Sequence, residues 1–224
     1  MKKKVHAIYM LGMMAINIIA TVSCSLVSFD FDVVKQDSYE MHLNKDTVYV
    51  MEGDTFSLSP LYLPIIHDGN AFWASDDSIL HISGNSIIAS NVGSAYVKAY
   101  SSYQNLSDSC FVNVMSRWKT PVYDYPNEMI VNAKIMFEGE KVDPYKVKVA
   151  AFINGECRGL GVFKNYFGED IFQFRVCGNI GDYNEIVHFR IYILEELICT
   201  YFPQILVFDG DIHGCAESFF ILEK

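Results

Sequence analysis

Apolar and polar residues alternate along much of the chain, a pattern typical of half-buried β-strands because successive side chains point to opposite faces. The clearest stretch runs from Trp73 to Ala99, where apolar residues recur at nearly every second position. Turn-forming residues at Ser83-Gly84-Asn85 and Asn91-Val92-Gly93 divide it into three short strands. Trp73 begins the stretch, and we expect its large ring to lie at the centre of a small two-sheet core.

The same alternation continues on both sides of this stretch, and no helical period interrupts it. About seven strands fit between residues 39 and 116, which is typical of a β-sandwich. A second set of strands follows over residues 127–224, and its Asn154-Gly155 pair is a strong hairpin signal. We therefore predict an all-β fold of two consecutive β-sandwich domains; for the second, the pattern also fits a half-open barrel.

Four motifs lie in order between Trp73 and Ala99: Trp73-Ala74-Ser75-Asp76-Asp77, Ile79-Leu80-His81-Ile82, Asn85-Ser86-Ile87-Ile88-Ala89 and Gly93-Ser94-Ala95-Tyr96-Val97-Lys98-Ala99. They resemble the Trp-Ser-Ser-Asp-like turn, the Ile-Ala-x-Val strand, the Gly-x-Ile/Val-Thr-Ala hairpin and the Gly-x-Ala-x-Ile/Val-x-Ala strand of the group 2 bacterial immunoglobulin-like domain. The resemblance implies an immunoglobulin-like β-sandwich over residues 39–116, with Trp73 and Gly93 as its core signature.

A second resemblance lies in the C-terminal set of strands. It rests on Ala150-Ala151-Phe152-Ile153-Asn154-Gly155-Glu156-Cys157-Arg158-Gly159 and the later Phe189-Arg190-Ile191-Tyr192. This pattern is similar to a module of surface lipoproteins from Bacteroidetes-type bacteria, which often follows immunoglobulin-like domains. The module has no settled activity, so the resemblance implies no functional residues.

The N-terminus has the three parts of an export signal. Lys2-Lys3-Lys4 is positive, residues 5–20 are largely apolar, and Thr21-Val22-Ser23 leads to Cys24. A cysteine in this place resembles a bacterial lipobox, which implies that Cys24 is lipidated and becomes the mature N-terminus. A spanning anchor is less favoured because the apolar run is short and contains Asn17. An ordinary secreted product stays an alternative.

These observations predict five segments along the chain. They are a signal peptide (1–23), a lipidated cysteine with its tether (24–38), the immunoglobulin-like β-sandwich (39–116), a stiff aromatic connector (117–126) and the second β-sandwich domain (127–224). The formal net charge of −10 argues against a nucleic acid partner, because binding to phosphates requires clusters of Lys and Arg. We expect contact with a membrane through the lipid anchor, at the cell envelope.

The cysteines offer little for catalysis. With Cys24 assigned to lipid, five remain, so at least one thiol is unpaired, and disulfides among the others stay open. Cys110 shares its strand face with two valines, and we expect it to be a small buried hydrophobe. No pattern brings Cys157 together with His188 or His213 as nucleophile and base. We predict that the chain is not an enzyme and binds no cofactor.

Two short acidic turns are the best candidates for metal ligands in the sequence. Asp209 and Asp211 flank a glycine and could supply oxygen ligands, as could Asp76-Asp77. Neither turn has the repeated Asp-x-Asp-x-Asp spacing of a calcium loop, so plain turns are favoured and no metal site is predicted. Asp209 and Asp211 are retained as possible ligand-binding residues.

Aromatic residues outside an obvious core pattern are the remaining sign of function, since flat rings bury much area at low entropic cost. They are Tyr100, Tyr103, Trp118, Tyr123, Tyr125, Tyr166 and Phe167. For the three in the connector, packing between the two domains is the favoured alternative. One hypothesis is a non-catalytic cell-envelope lipoprotein that acts as an adhesion or binding module. The other is a carbohydrate-binding accessory protein of a glycan-capture system, which would use Tyr166, Phe167 or the Asp209 turn.

Overall fold

The computed structural model describes residues 39–63, 71–75, 78–102, 105–119, 124–166 and 168–224. They belong to one compact unit built almost wholly of strands. Its one helical element among these residues is a 3-10 turn, Ile180–Asp182, so the predicted all-β fold is confirmed. No helix of the described residues is long and apolar enough to cross a membrane. The predicted signal peptide, Cys24 and the tether lie outside the described residues.

Within the described residues, nine strands form an N-terminal group: β1 (Glu40–Leu43), β2 (Thr47–Met51), β3 (Thr55–Phe56), β4 (Pro60–Leu63), β5 (Ala71–Ala74), β6 (Leu80–Ser83), β7 (Ser86–Ala89), β8 (Gly93–Ser101) and β9 (Ser107–Met115). One sheet has the order β2-β9-β8-β5, another has the order β3-β7-β6, and β1 pairs with β4. β2 and β9 run parallel. The other pairs are antiparallel, as in a β-sandwich.

The strands and turns after Trp73 fall where the sequence predicts them. β6 and β7 form a hairpin around Gly84 and Asn85, and β8 begins at Gly93. Gly93 has a φ of +150°, and a Cβ at this position would lie 2.9 Å from Cδ1 of Ile79. The positive φ favours glycine there, which gives the signature position a physical reason, whereas the end of the Ile79 side chain could shift to admit a Cβ.

The core of this group lies between its sheets and is filled by the inward side chains of alternating strands. Its fully enclosed members include Val48, Val50, Leu80, Ile87, Val97, Cys110 and Val112. The burial predicted for Cys110 is therefore confirmed. Trp73 is only partly buried and packs against this core from β5, the edge strand of its sheet. The expectation that its ring occupies the centre is wrong, because the ring lies at the margin of the core and stays partly exposed.

Nine further strands of the described part of the chain form a C-terminal group: β10 (Asn127–Phe137), β11 (Glu140–Lys141), β12 (Val147–Ile153), β13 (Glu156–Tyr166), β14 (Glu169–Gly178), β15 (Ile186–Ile193), β16 (Ile198–Val207), β17 (Ile212–His213) and β18 (Phe220–Glu223). They make one sheet of order β11-β10-β14-β13-β12-β15-β16, and β17 and β18 also pair with β10, both in parallel. The predicted Asn154-Gly155 hairpin joins β12 to β13.

This sheet curls over a single core. β13 pairs with β12 up to Leu160 and with β14 from Gly161, so the sheet bends along this strand. β16, at one end of the strand order, lies beside β18, which is paired with β10. Glu223 N–H of β18 donates to Oε1 of Gln204 in β16 at 3.1 Å. The enclosed core includes Met129, Val131, Phe174, Phe189, Phe208 and Leu222.

The two groups of strands meet around Trp118. This ring is only 7% exposed and lies edge-on to Phe152, with 5.5 Å between ring centroids. Tyr192 of the same outer sheet face and Met51 of β2 complete the buried cluster. The packing role predicted for Trp118 is therefore confirmed.

Candidate functional site

Tyr166, the last residue of β13, lies in a small surface cluster of rings and charges. Its ring stands edge-on to Phe219, with 6.3 Å between centroids, and Lys134 Nζ lies 5.2 Å from the Phe219 centroid. Lys134 also pairs with Glu169 at 3.0 Å, and this hydrogen bond lowers the pKa of the Glu169 carboxyl. Phe167, predicted beside Tyr166, lies outside the described residues.

The Asp209 turn is closed by its own side chains. Both oxygens of Asp209 lie 3.0 Å from Nε2 of His213, and Oδ1 accepts the backbone N–H of Asp211 at 2.9 Å. Burial opposes ionisation, but these contacts outweigh it and lower the pKa of the Asp209 carboxyl. The described residues contain no group of three or more His, Cys, Asp or Glu able to hold a metal ion. No described contact joins this turn to Tyr166.

The cysteines of the described residues are all unpaired thiols. Burial raises the pKa of Cys157, and it raises the pKa values of Cys110 and Cys199 to about 11. A thiol with a raised pKa is protonated at neutral pH and is a poor nucleophile. Among the described contacts, His213 is engaged by Asp209 rather than by Cys157.

A row of exposed rings covers the outer side of the β2-β9-β8-β5 sheet, and we call it the aromatic face. It consists of Phe72, Tyr96 and Tyr100, which are 64%, 55% and 45% exposed. The half-buried Phe111 of β9 is the cross-strand neighbour of Tyr96 and belongs to the same face. Phe72 pairs with Tyr100 across β5 and β8, and Tyr96 stands edge-on to Phe111 at 5.2 Å. Tyr96 and Tyr100 are four residues apart on one strand, so their side chains start about 13 Å apart.

Polar groups lie between these rings. Lys98 projects from β8 between the two tyrosines, and Asn113 Nδ2 donates to Ser94 Oγ at 3.2 Å. A shallow cavity of about 490 Å³ runs along this surface beside Tyr96 and Tyr100. Flat rings interspersed with hydroxyl, amide and ammonium groups can stack on an apolar ligand surface while they bond its polar groups.

The aromatic face was only partly visible in the sequence. Tyr100 stands outside the core pattern in the sequence, and the structure places it in β8 on the exposed side of the sheet. Phe72 and Tyr96 did not stand out, although they occupy strand positions where the alternation calls for polar residues. Of the other rings, Tyr125 stacks on Arg158, with 4.0 Å from Cζ to the ring centroid. Tyr103 and Tyr123 lie outside the described residues.

Comparisons with known proteins give only distant similarities. No protein-family model and no curated protein matches this chain. Domains 1–6 of surface layer protein SbsC match with a TM-score of 0.29 and 15% identity, over 76% of this chain and 26% of that one. Extracellular cadherin domains 1–4 of Protocadherin Gamma B7 match at 0.29 and 9%, over 76% and 50%.

A third structure is the Bacteroides ovatus mixed-linkage glucan utilization locus protein SGBP-B in complex with a mixed-linkage heptasaccharide. It matches with a TM-score of 0.24 and 10% identity, over 75% of this chain and 47% of that one. This chain thus spans about a quarter to a half of these three proteins. Similarity at this level assigns no function, so the function has to be argued from the surfaces themselves.

Proposed function

We propose that this protein is a non-catalytic binding module of the cell envelope and that the aromatic face binds its ligand. The observation that carries this proposal is the exposure of Phe72, Tyr96 and Tyr100 on one side of a hydrogen-bonded sheet. Aromatic rings grouped on one exposed sheet face are typical of binding surfaces, because each ring buries much area at low entropic cost. Because the rings are already held on paired strands, ordering them would cost little of the binding free energy.

The composition of this surface favours a glycan ligand. Lys98, Ser94 and Asn113 alternate with the rings, so hydrogen-bonding groups and flat apolar groups are close together. A sugar presents the same combination, an apolar ring face edged by hydroxyl groups. A protein surface, as in adhesion, is the other ligand class.

Two features support a role without catalysis. The buried thiols have raised pKa values, and Asp209 and His213 are bonded to each other. Neither arrangement activates a nucleophile.

The proposed location rests on the sequence before residue 39. A lipidated Cys24 followed by a tether would hold both groups of strands near a membrane. Their net negative charge would keep them from lying on anionic lipid.

A glycan array tests the binding role with the fragment 25–224, which contains every described residue. We expect the wild-type fragment to bind one class of glycan and Tyr96→Ala to bind it several-fold more weakly, because a stacked ring contributes about 1 kcal/mol. Tyr145→Ala is the matched control, since Tyr145 is 84% exposed on the C-terminal group. The glycan proposal fails if no glycan binds or if Tyr96→Ala binds as well as the control.

A further inference from the structure

The outer side of the β15–β16 hairpin holds an arginine between two aromatic rings. Arg190 Cζ lies 4.1 Å from the ring centroid of Phe152 and 4.3 Å from that of Tyr201. Tyr201 is the cross-strand neighbour of Arg190, and Phe152 projects from the adjacent strand β12. The guanidinium thus makes cation–π contacts with two rings, and its N–H groups are the part that can hydrogen-bond to a ligand.

Arg190 has no anionic partner in the described part of the chain. Its Nε is buried without a hydrogen bond, and no ion pair to Arg190 occurs among the described residues. The thiols of Cys157 and Cys199 lie near it, but burial raises both pKa values, so they are neutral. A guanidinium stays charged at any physiological pH, so a permanent positive charge faces this surface.

Two adjoining cavities give a ligand access to this charge, and together we call them the Arg190 groove. The first has a volume of about 460 Å³ and is lined by Phe152, Gly155, His188, Arg190 and Tyr201. The second has a volume of about 490 Å³ and shares Phe152 and Gly155 with the first. A Cβ on Gly155 would stand in open space.

The groove is positively charged although the whole chain has a formal charge of −10. Lys119 lines the second cavity and adds a cation to that of Arg190. The acid that lines it is Glu156, whose carboxylate already accepts the Tyr125 hydroxyl at 2.9 Å and lies 3.2 Å from Arg158. A ligand that supplies a carboxylate would therefore complement the charge of the groove.

We propose that the Arg190 groove binds a saccharide that carries a carboxylate, such as an oligomer of a hexuronic acid. The carboxylate would accept hydrogen bonds from the edge of the Arg190 guanidinium. The sugar ring would lie on Tyr201, which is 50% exposed, beside the exposed His188. The hydroxyl groups would reach Ser116 and Asn154 in the second cavity.

An acidic peptide offers the same charge but fits the rest of the groove less well. The flat ring of Tyr201 and the polar far end of the groove suit a hydroxyl-rich ring better than an extended backbone. The groove lies on the C-terminal group and the aromatic face on the N-terminal group, so this proposal stands independently of the proposed function.

Calorimetric titration of the full-length chain in mild detergent tests the site. The probes are tetramers of galacturonic, mannuronic and glucuronic acid, together with their uncharged methyl esters. We expect at least one acid to bind about tenfold or more tightly than its ester, because charge-assisted hydrogen bonds are the strong ones. Binding should weaken as salt is raised. Arg190→Gln should weaken it by about tenfold or more, for the same reason.

Arg175→Gln is the matched control, because Arg175 is an exposed arginine of β14 that pairs with Glu128 outside the groove. Phe72→Ala should also leave binding of the acid unchanged, which separates this site from the aromatic face. The proposal is overturned if no acid binds, if acid and ester bind equally, or if tetraglutamate binds more tightly than every sugar acid. It is also overturned if folded Arg190→Gln binds like wild type; should that variant not fold, the ester comparison still decides.

Discussion

Arg158 is the residue whose charge is most completely enclosed by described partners. Its side chain is 8% exposed, with Nη1 at 2.9 Å from Asp182 and Nη2 at 3.2 Å from Glu156. The carbonyl of Cys177 and the ring of Tyr125 occupy other sides of the guanidinium. A buried charge is tolerated only with such partners, because removal of one of them leaves the other charge without compensation.

We predict that Arg158→Ala lowers the free energy of unfolding by about 3 kcal/mol, because Asp182 would stay enclosed without its cation. Arg175→Ala is the control, since Arg175 and Glu128 are about half exposed, and such pairs contribute less than about 1 kcal/mol. Urea denaturation at pH 7 measures both. Equal losses in the two variants would contradict the prediction.

The pH dependence gives a second check of the same pair. The backbone N–H of Asn179 lowers the pKa of the Asp182 carboxyl, and Arg158 adds to this against the opposing effect of burial. A lowered pKa stabilises the fold fully above the unfolded value of about 3.9, and the stabilisation is lost as the pH falls through the folded value. The difference between wild type and Arg158→Ala should therefore shrink below about pH 4.

Among the elements, β13 shapes the C-terminal sheet because it changes partner along its length. Gly159 and Gly161 lie at the point where β13 changes its partner from β12 to β14. A Cβ on Gly159 would be 2.5 Å from the carbonyl oxygen of Arg175, and one on Gly161 would be 2.4 Å from Cγ2 of Val149. Glycine therefore permits the close approach of neighbouring strands at the bend.

We predict that Gly159→Ala lowers the free energy of unfolding by about 2 kcal/mol or more, because its methyl group would overlap backbone atoms. Gly181→Ala is the matched control, since a Cβ there meets nothing within 4 Å. The control should stay within about 0.5 kcal/mol of wild type. If Gly159→Ala and the control unfold at the same denaturant concentration, the prediction is wrong, because the two strands can then accommodate the methyl group without loss of stability.

Local alternation predicted most strands but not every buried face. It placed β6, β7 and β8 correctly, because each has one face on the core. β12 is different: residues 149–153 are all buried, since one side faces the C-terminal core and the other faces the Trp118 cluster. At the C-terminus, β18 (Phe220–Glu223) pairs in parallel with β10, which lies more than 80 residues earlier in the chain. Pairing between strands so far apart in the sequence cannot be deduced from a local pattern of apolar and polar residues.

The candidate sites were harder to predict than the strands for a related reason. Arg190 was visible within a distinctive motif, but its two ring partners come from β12 and β16 and meet only in the folded sheet. Phe72 and Tyr96 of the aromatic face occupy positions of their strands where the alternation calls for polar residues, and of the three exposed rings the sequence pattern sets apart only Tyr100. A site made by neighbouring strands becomes apparent only when their register is known.

At the scale of the whole molecule, the two groups of strands are joined by more than the Trp118 cluster. The turn at residues 194–197 reaches β2, where Tyr49 N–H donates to the carbonyl of Leu197 at 2.7 Å. Lys45 Nζ donates to the carbonyl of Glu196 at 2.9 Å. These contacts tie the β15–β16 hairpin, which carries Arg190, to the sandwich that carries the aromatic face.

The proposed lipid anchor on Cys24 would fix the whole chain to a membrane. Each buried methylene of an acyl chain contributes about 0.8 kcal/mol, so two or three chains on Cys24 hold a protein stably on a membrane, whereas one chain is marginal. Full-length protein expressed in a bacterium with a labelled fatty-acid analogue should take up label and sediment with membranes. Cys24→Ser should do neither. Cys215→Ser should behave as wild type, because it removes an exposed cysteine of the folded part. If wild type takes up no label and fractionates with Cys24→Ser, the chain is not a lipoprotein, and the secreted alternative holds.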